Sequence, residues 1–105
     1  GARRPDNLAI VVLDNERYGE TGMQKSHTAH GIDLAAVAAA CGFAHAGVIE
    51  TSSEIPGVRA DIHRRRGPLL YQVKVKAESL PLVLPPRDGA WLKHRFRQAL
   101  AALMV

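Results

Sequence analysis

Asp14-Asn15-Glu16-Arg17-Tyr18-Gly19 is the stretch of this chain whose residue types could do chemistry. It follows an apolar run and offers several oxygen donors in close succession. Magnesium takes carboxylate, amide and backbone carbonyl oxygens, and it commonly shares its shell with water and substrate phosphates. Asn15 supplies a neutral side-chain oxygen, and a neighbouring carbonyl can turn toward the same ion. The residues alone leave two readings open: an ion site, or a plain turn, where Asp and Asn are the usual residues. His27 and His30 lie further along the same loop. They bring the side-chain type suited to proton transfer at physiological pH, or they simply face solvent. Glu16 reads as a solvated turn residue, and His45, His63 and His94 have no sequence partner that suggests a role.

The elements around this stretch must place it. Residues 8–13 form a continuous apolar run rich in Val and Ile, bounded by Asn7 and Asp14. Such a run reads as a strand covered on both faces. The polar loop that follows, residues 15–32, carries Gly19, Gly22 and Gly31, and long loops in compact domains are usually functional or mobile. Asp33 caps a helix with Leu34, Val37, Ala38 and Cys41 on its inner stripe, and Gly42 stops it. Residues 46–50 form a second strand. Ser52 or Ser53 caps the next helix, with Glu54 and Pro56 in its first turn, Ile55, Val58 and Ile62 inside, and Gly67 at its end. Residues 69–75 form a third strand in which Tyr71, Val73 and Val75 point one way and Gln72 and Lys74 the other. That alternation predicts a place nearer the edge of the sheet. A proline-rich link over 80–86 precedes a helix capped by Asp88, whose face of Leu92, Phe96, Ala99, Leu100 and Leu103 is expected to cover the sheet. The alternating order predicts an α/β fold: a three-layer parallel sheet with helices on both faces. Ligands in such sheets sit beyond the carboxyl ends of the strands, which is where residue 14 and its successors fall.

The 105 residues are 47% hydrophobic and 23% charged, the balance of a single globular domain over 1–105. Net charge is +4, concentrated at Arg59 to Arg66 and again at Lys93 to Arg97. Both clusters are expected near helix ends, where cations complement the dipole. No aromatic residues interleave with the arginines as a stacking platform requires, so no nucleic-acid partner is expected. The apolar stretches are too short to span a bilayer, so no membrane role is expected and the default setting is cytoplasmic. Cys41 is the single cysteine. It excludes an internal disulfide and a cysteine zinc site, and its apolar helical face predicts a buried, inert thiol.

The run Leu8-Ala-Ile-Val-Val-Leu-Asp-Asn-Glu-Arg-Tyr-Gly19 closely resembles the second half of the thiamine-diphosphate motif. That motif opens with Gly-Asp-Gly and closes with an Asn-Asn or Asp-Asn pair after a buried strand. The resemblance implies that Asn15 binds magnesium through its side chain and Arg17 through its backbone carbonyl. Tyr18, Gly19, Thr21 and Gln24 complete the implied cofactor-binding set. Glu20-Thr-Gly-Met-Gln24, Ser26-His-Thr28 and Gly31-Ile-Asp-Leu-Ala35 resemble the phosphonopyruvate and sulfopyruvate decarboxylase branch. So do Cys41-Gly-Phe43 and Leu84-Pro-Pro-Arg-Asp88. Met23 stands where that branch usually carries a second glycine.

The implied chemistry is thiamine-diphosphate- and Mg2+-dependent decarboxylation of a 2-oxo acid, in which the cofactor's ylid does the hard step and the protein holds it. Thr21 and Gln24 would hydrogen-bond substrate or diphosphate, His27 would orient substrate or transfer a proton, and residues 20–30 would close the site. The Gly-Asp-Gly element and a helix averaging about 11–12 residues cannot fit into the seven residues before Leu8. The expectation is therefore an incomplete thiamine-diphosphate-binding fold carrying half of the metal-diphosphate site and inactive alone. A pyrimidine-binding domain or subunit would complete it, in a homo- or hetero-oligomer. Two alternatives share the fold: an acetolactate-synthase-like carboligase fragment and a non-catalytic association domain.

Overall fold

The computed structural model describes residues 3–104. In chain order its elements are β1 (Ala9–Asp14), β2 (Arg17–Tyr18), β3 (Gln24–Lys25), α1 (Leu34–Ala40), β4 (His45–Ile49), α2 (Ile55–His63), β5 (Leu69–Lys74) and α3 (Gly89–Leu103). Short 3-10 turns at Gly19–Thr21, His27–His30 and Ser52–Glu54 fill the connections. β1, β5 and β4 form one parallel sheet in that spatial order.

Local chemistry accounts for the helix limits. The Asp33 side chain accepts from the Ala36 amide at 2.9 Å, satisfying one of the donors a helix start leaves unpaired. Gly42 follows α1 with φ 88°, a left-handed conformation that stops the helix at no Cβ penalty. Before α2, Thr51 and Glu54 form a reciprocal capping box, one residue earlier than the expected serine caps. Burial does not set the position of Glu54: its carboxyl is held below the usual range by the amides of Thr51 and Glu50 and the Thr51 hydroxyl. Asp88 caps α3 by accepting from the Trp91 amide at 3.1 Å.

Two neighbouring residues of β5 identify the layers. Successive side chains of a strand point to opposite faces. Gln72 Oε1 accepts from the Leu34 amide at 3.1 Å, which places α1 on one face. The Tyr71 hydroxyl donates to the Asp61 carboxylate of α2 on the other. The fold is thus a three-layer α/β sheet with helices on both faces. Among the described residues the buried hydrophobic core is Ala35, Ala38, Ile49, Val58 and Leu69.

Gly67 closes the turn into β5. Its amide donates to the Asp6 carbonyl at 2.8 Å and Leu69 donates to the Leu8 carbonyl at 3.0 Å. A Cβ at Gly67 would collide with that Leu8 carbonyl, so the close approach requires glycine.

Several expectations are corrected. β5 is the central strand, because its polar face closes over an aspartate instead of solvent. β1 is an edge strand; Val11 and Leu13 are 45% and 70% exposed, so it is not covered on both faces. α1 buries Ala35 and Ala38, a stripe turned away from Val37 and Cys41, and the Cys41 thiol is exposed. The Lys93 to Arg97 cluster lies in the middle of α3, away from the end where cations complement the dipole. α3 buries none of its residues, so it does not cover the sheet.

Size measures agree with that open arrangement. The radius of gyration is 17.1 Å, against about 13 Å for a compact domain of this length. Accessible surface is 8561 Å², against about 5,800 Å² for a compact monomer of this mass. Among the described residues, no helix is long and apolar enough to cross a membrane.

Candidate active site

The carboxyl end of β1 turns directly into the chemical stretch. Asp14, the last residue of the strand, is 6% exposed, and both of its carboxylate oxygens are occupied. Oδ1 accepts from the Glu16 amide at 2.9 Å and from the Thr28 hydroxyl at 2.7 Å. Oδ2 accepts from Gln72 Nε2 at 2.6 Å and from Lys74 Nζ at 2.8 Å. Burial by itself would raise this carboxyl. The donors from Lys74, Thr28, Gln72 and Glu16 outweigh it and hold Asp14 well below the usual carboxylate range. Lys74 is raised in turn, chiefly by its hydrogen bond to Asp14 against some desolvation, with Glu16 adding to it.

This network ties four segments together. Ser26 and Thr28 share a hydroxyl hydrogen bond at 2.8 Å, which anchors the loop to the strand end. Gln72 reaches both Asp14 and the start of α1. Lys74 bridges Asp14 and Glu16, the latter at 3.1 Å. Glu16 has φ 60°, a left-handed conformation that costs a residue with a Cβ about 1–2 kcal/mol. The hydrogen bond to its amide and the ion pair to its side chain hold it there.

Asn15 and Arg17 flank that strained residue. Asn15 Oδ1 accepts from the Arg17 amide at 3.0 Å, which uses one of its two lone pairs. The Ser26 amide donates to the Glu16 carbonyl at 3.0 Å, a single bond that flanks the β2–β3 ladder. Arg17 and Lys25 are therefore the neighbouring pair whose backbone groups point away from each other. The amide and carbonyl of Arg17 both face outward, on the side of Asn15. An amide oxygen with a lone pair to spare beside an outward carbonyl fits a hard cation completed by phosphate and water. Among the described residues no cluster of three or more His, Cys, Asp or Glu side chains could hold a metal, so a protein-only cage is not on offer.

The remaining candidates are placed less tightly. Gly19 lies against Asn15; a Cβ there would sit 3.9 Å from Asn15 Nδ2. Tyr18 is half exposed. Thr21 and Gln24 hydrogen-bond each other, Thr21 Oγ1 to Gln24 Oε1 at 2.9 Å and Gln24 Nε2 to the Thr21 carbonyl at 2.7 Å, in an exposed turn. His27 and His30 begin and end an exposed 3-10 turn. Met23 has φ 60°, so the position resembling a glycine keeps a glycine-like backbone. A cleft of about 500 Å³ lies between Asn15, Gly19, Glu20 and Met23 on one wall and residues 78–83 on the other.

Sequence reasoning missed Thr28, Gln72 and Lys74. The available signal was a pair of polar residues at period two in an otherwise apolar strand, beside a strand ending in aspartate.

The fold and site define an α/β domain with an oxygen-rich turn at the carboxyl end of its first strand. The chain is homologous to phosphonopyruvate and sulfopyruvate decarboxylases. It is 34% identical over 98 residues to phosphonopyruvate decarboxylase from Streptomyces viridochromogenes, covering 92% of this chain and 24% of that protein. The corresponding Streptomyces hygroscopicus enzyme is 30% identical over 98 residues, with the same coverage, 92% and 24%. Sulfopyruvate decarboxylase subunit beta from Methanocaldococcus jannaschii is 43% identical over 42 residues, which is 40% of this chain and 22% of that subunit. The chain thus spans about a quarter of the length of the curated relatives it matches. No protein-family profile matches it, and no solved structure does either.

Proposed function

We propose that this chain forms the metal- and diphosphate-binding part of a thiamine-diphosphate- and magnesium-dependent 2-oxo acid decarboxylase, acting on a phosphonopyruvate- or sulfopyruvate-like substrate. The observation that carries the reading is the turn directly after β1, in which Asn15 Oδ1 accepts from the Arg17 amide at 3.0 Å. Homology to decarboxylases over 92% of the chain supports the reaction class.

Asn15 Oδ1 and the Arg17 carbonyl would hold the magnesium ion that anchors the diphosphate. Thiamine diphosphate held there would supply a nucleophilic carbon and an electron sink for loss of carbon dioxide from a 2-oxo acid. The chain's own residues bind and orient. Gly19 keeps the wall beside Asn15 free of a side chain, and Thr21 and Gln24 offer polar groups at the mouth. Residues 78–83 form the opposite wall of the cleft. His27, on the exposed turn, is the candidate for orienting substrate or moving a proton. A pyrimidine-binding domain or subunit would complete the site in an oligomer. The relative named as a subunit beta and the excess of exposed apolar surface favour such assembly.

Calorimetric titration with thiamine diphosphate, with and without MgCl2, tests this. Saturable, magnesium-dependent binding that Asn15→Ala weakens at least ten-fold is expected. Binding indifferent to both magnesium and Asn15→Ala overturns the assignment.

A further inference from the structure

Glu16 is the one residue between the two proposed metal donors, and its backbone is in a region that residues with a Cβ avoid. Such a conformation persists where the surroundings over-determine it. Here they do so through one hub. Lys74 Nζ reaches Asp14 Oδ2 at 2.8 Å and Glu16 Oε1 at 3.1 Å, so a single ammonium spans the residues on either side of Asn15. Gln72 Nε2 holds the same Asp14 oxygen at 2.6 Å, which leaves Oδ1 facing the Glu16 amide. Three constraints therefore converge on Glu16: its amide, its side chain and the strand end before it.

Neither Lys74 nor Gln72 is adjacent to the turn in sequence. They come from β5, the strand beside β1, with Lys74 in register with Asp14. Release of the clamp would let φ of Glu16 return to the negative region. The peptide plane between Glu16 and Arg17 would then rotate, and with it the Arg17 amide that Asn15 Oδ1 now accepts from. Both oxygens would lose their common direction without either residue being changed.

We propose that Lys74, assisted by Gln72, is a positioning residue for the magnesium-diphosphate site: it holds Glu16 in its left-handed conformation and so keeps Asn15 Oδ1 and the Arg17 carbonyl side by side. This rests on the function proposed above. It also assigns Lys74 a role distinct from attracting diphosphate by charge, since two of its three donors are already committed to Asp14 and Glu16.

Glycine adopts positive φ without a clamp, and that separates the two roles. The variants are Lys74→Met, Lys74→Arg, Glu16→Gly and the double variant Lys74→Met with Glu16→Gly. Two readouts apply to each: the sign of φ at residue 16 from backbone chemical shifts and intraresidue NOEs, and the affinity for magnesium in the presence of thiamine diphosphate. Lys74→Met should lose positive φ at Glu16 and weaken magnesium affinity about ten-fold, the scale of releasing one left-handed residue. Lys74→Arg should keep most of the affinity, and Glu16→Gly in the Lys74→Met background should recover it. Positive φ retained in Lys74→Met, or affinity lost there and not recovered by Glu16→Gly, overturns the positioning role. No magnesium response in the unaltered chain overturns the functional reading and this role with it. An undiminished response in Lys74→Met overturns the positioning role alone.

Discussion

The two ends of this chain use their side chains in opposite ways. At the carboxyl end of β1, a single buried carboxylate accepts four hydrogen bonds drawn from β5, the long loop and its own turn. Along α3 and the segment before it, Phe96, Leu103, Leu82 and Val83 are mostly exposed, and α3 buries nothing. The apolar residues that would build a larger core are in the second region, while the first is held by polar contacts. The contrast teaches where order comes from in this chain. Its candidate site is fixed by satisfied charge at the strand ends, and its periphery awaits a surface to cover it.

The comparison can be broken at several points. Asp14→Ala should have the largest effect, about 3 kcal/mol of stability by chemical denaturation, because it strands Gln72 and Lys74 donors together. A loss as small as that of a surface substitution would remove the network from the account. Gly67→Ala should follow at about 2 kcal/mol, the scale of overpacking, since its Cβ meets the Leu8 carbonyl. Tyr71→Phe, which removes the hydroxyl held by Asp61, should cost about 1 kcal/mol. That hydroxyl's pKa is pushed up to about 12, chiefly by its hydrogen bond to Asp61. Its contribution is complete below the ordinary tyrosine value of about 10 and is lost as pH rises toward the folded value. At the bottom of the scale, Phe96→Ser should change stability by less than about 0.5 kcal/mol, as expected of a side chain that is mostly exposed. The same variant should reduce self-association in sedimentation. A large stability loss from it would show that α3 does pack.

Acid sharpens the same contrast. The Asp14 carboxyl is depressed in the folded state, so the folded chain binds that proton less tightly than the unfolded chain. The stability it contributes is present above the ordinary carboxylate value, about pH 4, and is lost as pH falls below it. The difference between the unaltered chain and Asp14→Ala should therefore shrink in that range, and again at alkaline pH where Lys74, raised chiefly by Asp14, gives up its proton.

Much of the frame was legible in the sequence. Asp33 with Gly42, and Asp88 before Trp91, mark helix limits by local chemistry, and local chemistry needs no knowledge of the fold. The Asn15 turn was legible for the same reason. β5 was legible as a strand but its central place was not, because alternation of Gln72 and Lys74 with apolar residues has two physical causes: a face turned to water, or a face turned to a buried charge. Only tertiary structure distinguishes them, and the partner, Asp14, lies 58 and 60 residues away. α3 was misplaced for a related reason. Its stripe of Leu92, Phe96 and Leu100 states that a partner exists without saying which surface it is.

The proposed division of labour has Asp14 hold the turn and Asn15 with Arg17 meet the metal. Titrating MgCl2 in the presence of thiamine diphosphate, with NMR of the Asn15 side-chain amide, the Arg17 carbonyl carbon and the Asp14 and Glu16 carboxyl carbons, tests it directly. The account predicts saturable shifts at Asn15 and Arg17 with the Asp14 carboxyl unmoved. Shifts led by the Asp14 or Glu16 carboxylates, with Asn15 and Arg17 silent, would contradict it.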